Sequence, residues 1–204
     1  MTEKTHSELF TEIYSGKAPW DIGRPQPAFV EVAEQVYGLV LDSGCGTGEH
    51  ALYFSDRDCV VVGMDFLEHP VELARAKAKN RGTAVDFVVA DALRLKDFEA
   101  RFDNVLDSGL FHVFSDEERS IYVAGLAHVL RSGGRLFLLC FSDQEPGTDG
   151  PRRVTQQEIR DVFSTGFVVE SINPARFEVI ADLPPGRSFS PGGPLAWFAV
   201  IRRK

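Results

Sequence analysis

One segment constrains this chain more than any other: Leu39-Val40-Leu41-Asp42-Ser43-Gly44-Cys45-Gly46-Thr47-Gly48-Glu49, an apolar run that breaks into glycines. The run predicts a strand over Leu39 to Asp42, and the residues after the break carry a helical pattern from Glu49 to Arg57. Glycines permit backbone angles closed to other residues and leave bare main chain against which a ligand can lie, and the helix N-terminus that follows offers unpaired N–H groups. Strand, glycine turn and helix together start a βαβ series. The spacing is G-x-G-x-G, with Glu49 where the G-x-G-x-x-G fingerprint of dinucleotide binders has its last glycine. A carboxylate there is poorly placed to meet a pyrophosphate, which counts against NAD and favours a ligand without phosphate.

The rest of the chain continues the series. Strands are predicted at Val60 to Asp65, Val85 to Val89, Asn104 to Asp107, Arg135 to Phe141, Gly166 to Ile172 and Leu195 to Ile201. Helices are predicted at Pro70 to Arg81, Asp116 to Arg131 and Gln156 to Ser164, with an earlier one at Ala28 to Tyr37. Ser132-Gly133-Gly134 is expected to stop the Asp116 helix ahead of the next strand, and the Pro- and Gly-rich run Leu183 to Pro194 to form a surface loop between the last two strands. The expected architecture is α/β: a Rossmann-like three-layer sandwich in one domain of 204 residues, with residues 39–204 as its core and residues 1–38 as a helical cap over the active site.

Acidic residues recur where predicted strands end, the edge at which open α/β sheets bind ligands. Asp42 closes the first strand. Asp65 closes the second, about twenty residues past the glycine turn, where a carboxylate can accept ribose hydroxyls; its competing reading is a helix N-cap. Asp91-Ala92 follows the third and can take a hydrogen bond from an adenine amino group, or cap a loop. Phe66 can wall the base or belong to the core. Asp107-Ser108-Gly109-Leu110-Phe111-His112 follows the fourth.

Composition narrows the function classes. Thirty Asp and Glu against 22 Lys and Arg give a net charge of -8, which disfavours a nucleic-acid partner. Three cysteines, an odd number in apolar or glycine-rich surroundings, argue against a disulfide framework and for a reducing cytoplasm. The polar N-terminus lacks a signal segment, and no run approaches the roughly 20 apolar residues of a membrane span. No His or Cys cluster stands at metal-ligand spacing, so no metal is expected. A monomer or weak homodimer acting on a small molecule fits these features.

Together these residues resemble the class I methyltransferase superfamily, with LDSGCGTGEH as the glycine motif. The resemblance implies a seven-stranded, mostly parallel sheet with a reversed last strand, helices on both faces, and S-adenosylmethionine at the strand ends, leaving S-adenosylhomocysteine as product. It implies that Gly44 and Gly46 lie near the methionine part, Asp65 on the ribose and Asp91 near the adenine. The lead-in Ala18-Pro19-Trp20-Asp21-Ile22-Gly23-Arg24-Pro25-Gln26-Pro27, with Asp107 to Phe114, resembles the thiopurine-methyltransferase-like and bacterial heterocyclic-toxin methyltransferase branch. That narrower likeness implies a small aromatic or heterocyclic acceptor methylated on oxygen, sulfur or nitrogen, and carries over Trp20 and Arg24 as cofactor contacts. Trp20 can pack over a cationic sulfonium and Arg24 can clamp a carboxylate with two prongs, or each can serve structure alone.

Displacement from a sulfonium needs an aligned nucleophile more than it needs a metal. His112 is the candidate base for a hydroxyl or thiol acceptor, against a purely structural role in its apolar run. Phe10, Tyr14, Phe111, Phe114 and Phe141 are candidate pocket walls, and Arg152, with Arg153 beside it, a candidate contact to a polar substituent; core packing and surface charge are the alternatives. The Asn/Asp-Pro-Pro-Tyr signature of nucleobase-amine methyltransferases is absent, Asp107-Ser108-Gly109-Leu110 standing in its place. The rival readings are an NAD(P)-dependent oxidoreductase and a protein that binds S-adenosylmethionine without catalysis.

Overall fold

A computed structural model describes residues 6–16, 18–183 and 188–204. Seven strands form one sheet: β1 Leu39–Ser43, β2 Val60–Asp65, β3 Asp86–Val89, β4 Phe102–Ser108, β5 Leu130–Phe141, β6 Phe167–Arg176 and β7 Leu195–Arg203. Their order is β3-β2-β1-β4-β5-β7-β6, with β7 antiparallel to both neighbours and the remaining pairs parallel. The helices are α1 His6–Tyr14, α2 Pro27–Glu31, α3 Glu49–Ser55, α4 Glu68–Arg81, α5 Asp116–Val129 and α6 Gln156–Val162.

Strand alternation divides the apolar residues between two faces. Leu136, Leu138 and Cys140 of β5, with Trp197, Ala199 and Ile201 of β7, pack toward Tyr122 and Leu126 of α5 and Ile159 of α6. Phe137 and Leu139, with Phe198 and Val200, pack toward Phe29 of α2, Leu52 and Phe54 of α3 and Val71 of α4. This is the expected three-layer sandwich with its reversed last strand. All three cysteines are free and buried, and no helix among the described residues is long and apolar enough to cross a membrane.

Several boundaries differ from expectation. The helix expected over Ala28 to Tyr37 ends at Glu31 and gives way to a single 3-10 turn, Ala33–Gln35. The β-branched Val30, Val32 and Val36 weaken a continuous helix there. α5 stops at Val129, and the chain enters β5 at once, so Ser132-Gly133-Gly134 lies inside a strand instead of ending a helix. Phe102 pairs with Leu130 and Asn104 with Arg135, so the extra residues bulge from β5, with Gly133 at a φ of 82°. α4 begins at Glu68, two residues before Pro70. Capping boxes start α5, through Ser115 and Glu118, and α6, through Thr155 and Glu158.

Candidate active site

The three glycines after β1 all have positive φ, 70° at Gly44, 52° at Gly46 and 86° at Gly48, yet they serve different ends. A Cβ at Gly48 would stand 2.7 Å from the Phe87 ring and 2.9 Å from Ala74, so this glycine lets α3 pack onto β3 and α4. At Gly46 a Cβ would meet only Tyr14, 2.7 Å from its hydroxyl. Gly44 and Gly46 border a cavity of about 970 Å³ that runs along the carboxyl ends of the parallel strands.

Asp65 and Asp91 border the same cavity, with Phe66 and Ala92 beside them. Asp65 Oδ2 accepts the Gly46 N–H at 3.0 Å and Oδ1 accepts the Leu67 N–H at 3.1 Å, so this carboxylate braces the glycine turn. Burial raises its pKa, and the neighbouring amide donors oppose that rise. Asp91 accepts the Leu93 N–H at 2.8 Å as the cap of a 3-10 turn and stays exposed.

Asp42 and Asp107, expected as ligand contacts, do not line the cavity; both are fully buried beneath it. Asp42 accepts the Ala51 N–H at 3.0 Å, and burial pushes its pKa up to about 7. Asp107 Oδ1 accepts the amides of Leu110 and Phe111, at 2.9 and 3.2 Å, while Oδ2 accepts the Tyr122 hydroxyl proton at 3.0 Å. Burial lifts Asp107 to about 6 against those donors. Its work is to hold the loop that carries His112. Phe111 is also displaced from its expected place: it is wholly buried against Phe163, under the Arg119 guanidinium, away from the cavity.

The N-terminal segment covers the glycine turn. Phe10, Tyr14 and Trp20 line the cavity, and the Trp20 indole N–H donates to the Tyr14 hydroxyl at 3.2 Å. Burial, then the nearby Asp65 charge, keep the Tyr14 phenol protonated. This segment is clasped to the stretch after β6: Ile180 N–H donates to Pro19 O at 2.9 Å, and the Gln26 side chain both donates to Glu178 O and accepts from Glu178 N–H. Arg24 borders the cavity, and its Nε and Nη2 both donate to Glu178 Oε2, at 3.1 and 2.7 Å. The Gln26 N–H donates to His50 Nε2 at 3.1 Å, and burial drops the His50 pKa to about 4.

Glu49 answers the question its position raised. Its buried carboxylate accepts from Lys77 at 2.7 Å and from Arg81 at 3.1 Å, so the charge is balanced from α4. An incoming pyrophosphate would find the turn's positive partners already engaged, whereas an adenosyl ligand without phosphate meets bare glycine backbone flanked by Asp65 and Asp91. The residues present fit S-adenosylmethionine.

The far end of the cavity is aromatic. Phe141, Phe177 and Phe189 line it with His112, ring centroids 5.2 to 5.8 Å apart. Phe114 and Arg152 reach it too, although Arg152 is bound to Asp116 and Glu158. Phe189 belongs to the run expected as a mere surface loop, of which residues 184–187 lie outside the described residues. His112 Nδ1 accepts the Phe141 N–H at 3.0 Å, which puts the proton of the neutral ring on Nε2. Burial, reinforced by Arg119 and Arg153, lowers its pKa to about 3. The neutral ring so held carries a donor at Nε2.

Sequence reasoning missed Phe177 and Phe189, which no periodicity marks, and the Gln26–His50 and Glu49–Lys77 pairings, each formed across distant segments.

Residues 40–134 match a family of methyltransferase domains. A 2-heptyl-1-hydroxyquinolin-4(1H)-one methyltransferase of Mycobacteroides abscessus is 35% identical over 195 residues, 89% of this chain and 86% of that protein. The chain belongs to the class I S-adenosylmethionine-dependent methyltransferases. A structure solved in work on the conversion of a disulfide bond into a thioacetal group during echinomycin biosynthesis is 32% identical to this methyltransferase, with a TM-score of 0.86 over 98% of this chain and 94% of that one. The methyltransferase also shares its fold with a Burkholderia thailandensis 1,6-didemethyltoxoflavin-N1-methyltransferase with bound 1,6-didemethyltoxoflavin and S-adenosylhomocysteine, at 24% identity and a TM-score of 0.70 over 97% of this chain and 86% of that one.

Proposed function

We propose that this methyltransferase methylates an oxygen, sulfur or nitrogen atom of a small aromatic or heterocyclic acceptor, by in-line displacement that calls for no metal. The observation that carries this reading is the continuity of one cavity, glycine-lined at one end and walled by Phe141, Phe177, Phe189 and His112 at the other. A planar ring buries well among such faces and edges. The quinolone named for the M. abscessus relative and the toxoflavin precursor named for the B. thailandensis structure are both heterocycles, which supports the same class.

In this reading Gly44 and Gly46 offer backbone to the methionine part of the cofactor, Asp65 accepts from the ribose, Asp91 and Ala92 border the adenine, and Phe66 and Trp20 pack against the ligand. When bound, S-adenosylmethionine supplies a methyl group activated by a sulfonium. The described residues ahead of β1 act as a cap on a single-domain core: Phe10, Tyr14 and Trp20 exclude water, and the clasp from Pro19, Arg24 and Gln26 to the 178–180 stretch holds the cap down. Water exclusion and alignment contribute most of the rate when the nucleophile is already ionised.

The test is methyl transfer to a panel of phenols, thiols and hydroxylated heterocycles that includes 1-hydroxyquinolin-4(1H)-one, followed by product mass. Transfer to planar hydroxylated heterocycles is expected. Tight uptake of S-adenosylhomocysteine with no acceptor in the panel methylated would overturn the proposal in favour of a binding protein.

A further inference from the structure

Phe189, on the stretch before β7, meets Phe141 edge to face at the acceptor end of the cavity, with centroids 5.8 Å apart and planes at 85°. The two rings converge on Gly150: a Cβ there would lie 3.0 Å from Phe141 Cε2 and 3.3 Å from Phe189 Cε1. Close packing of ring, ring and bare backbone shuts the wall at this point. Polar bonds hold Phe189 there. The Ser188 N–H donates to Asp149 Oδ2 at 3.1 Å and the Ser190 N–H donates to Glu145 Oε1 at 2.9 Å, so the residues on either side of Phe189 are each tied to a carboxylate of the segment after β5. Glu145 is buried, and its other oxygen, Oε2, accepts the Leu195 N–H at 2.8 Å, where β7 begins.

The segment that carries these carboxylates is itself braced. Arg153 donates to the carbonyls of Glu145, Pro146, Gly147 and Pro151, and its guanidinium stands 5.3 Å from the centre of the Phe141 ring. Asp143 Oδ1 accepts the Trp197 indole N–H at 3.0 Å, which fastens the same segment to β7. The stretch before β7 is also held from the end of β6: the Phe177 N–H donates to Pro194 O at 2.9 Å, and Arg176 donates to Gly193 O at 2.7 Å.

We infer that Glu145 and Asp149 are positioning residues for acceptor selection: by tying the backbone on both sides of Phe189, they make its ring a fixed stop that limits the length of apolar substituent an acceptor ring can carry. The inference rests on the function proposed above and deepens it. Neither carboxylate borders the cavity, so both act through Phe189. Edge-to-face packing alone fixes a ring weakly, whereas hydrogen bonds to an ionised carboxylate are about twice as strong as neutral ones. Compact planar heterocycles suit the wild-type site, and rings with long alkyl chains suit one whose stop is removed or loosened.

The test compares 1-hydroxyquinolin-4(1H)-one with its 2-heptyl derivative as acceptors, read as the ratio of kcat/KM, long over short. Phe189→Ala should raise that ratio about 10-fold or more, the lower end of what an apolar pocket discriminates for a small change in size. Glu145→Gln keeps one oxygen as acceptor and turns an NH2 group toward the other amide, so it should raise the ratio about 3-fold, chiefly through KM for the long acceptor, with S-adenosylhomocysteine affinity unchanged. Asp149→Ala, at a half-buried position, should raise it about twofold in a protein that folds as the wild type does. In the Phe189→Ala background Glu145→Gln should add nothing, because the ring through which it acts is gone. An unmoved ratio in Phe189→Ala overturns the inference and leaves methyl transfer standing. So does a Glu145→Gln effect that persists without the ring, or a Glu145→Gln protein that is less stable with the wild-type ratio. Should the wild type methylate neither quinolone, the inference is overturned as well, and the proposed function falls with it only if no other acceptor in the panel is methylated.

Discussion

Alanine at Gly46 and alanine at Gly48 should damage the protein in different ways, although the two positions are two residues apart in one turn. Both glycines have positive φ, so a Cβ at either costs about 1 to 2 kcal/mol of backbone strain. At Gly48 the methyl would also press 2.7 Å from Phe87 Cζ and 2.9 Å from Ala74 Cβ. The Phe87 ring also packs closely on the bare backbone of Gly63, where a Cβ would lie 2.6 Å from it, so it has little room to shift. Overpacking of this kind adds about 1 to 3 kcal/mol, so Gly48→Ala should lose about 2 to 5 kcal/mol in all. At Gly46 the neighbour is the Tyr14 hydroxyl, the far end of a side chain that can shift by giving up its Trp20 hydrogen bond, so the stability cost should exceed the strain by no more than about 1 kcal/mol. The same methyl stands on the ligand side of the turn, where it should weaken S-adenosylhomocysteine by about 1.4 to 2.8 kcal/mol, or 10- to 100-fold. Urea unfolding measures the first quantity and calorimetric titration the second. Equal destabilisation of the two variants, or undiminished affinity in Gly46→Ala, would refute the division of labour between a packing glycine and a ligand glycine.

Asp65→Ala should weaken S-adenosylhomocysteine binding by about 1.5 to 3 kcal/mol, through loss of an acceptor and release of the Gly46 N–H it braces; unchanged calorimetric affinity would remove Asp65 from the site. Arg24→Ala removes an ion pair whose arginine is 65% exposed, so the melting transition should move by less than about 1 kcal/mol and cofactor affinity should hold; a tenfold loss of affinity would restore the carboxylate clamp. Asp107→Asn should change the pH dependence of stability. Asp107 is raised from 3.8 to about 6 on folding, so its contribution is present below pH 3.8 and lost as pH rises through 6. His50 and His112 are lowered from 6.5 to about 4 and about 3, so theirs is present above 6.5 and lost as pH falls. The two trends oppose each other between pH 4 and 6. Removing the carboxylate should make unfolding free energy rise more steeply with pH there, by about 1.4 kcal/mol per unit, and an unaltered slope in urea titrations would disprove the linkage.

Local sequence carried the sheet, the glycine turn and the reach of the cofactor site, because each depends on periodicity or on backbone freedom at a few adjacent residues. Leu39 to Ser43, the alternating residues of β5 and β7, and the paired carboxylates Asp65 and Asp91 at cavity-facing strand ends all belong to this kind. Asp42 and Asp107 share the same strand-end pattern, yet folding turns them under the loops, where amide donors satisfy them. Whether a carboxylate faces ligand or loop is decided by which amides the following turn presents, and that is not written in the strand. His112 shows the same limit: a single contact with the Phe141 amide, 29 residues away, decides which ring nitrogen carries the proton. Phe177 and Phe189 meet Phe141 only because the sheet and the loop before β7 converge at one end of the cavity. Pattern within a segment determined the frame and the place of the site, while protonation, charge balance and acceptor shape were set by contacts between segments, since those quantities depend on distances that exist only after the chain has closed on itself.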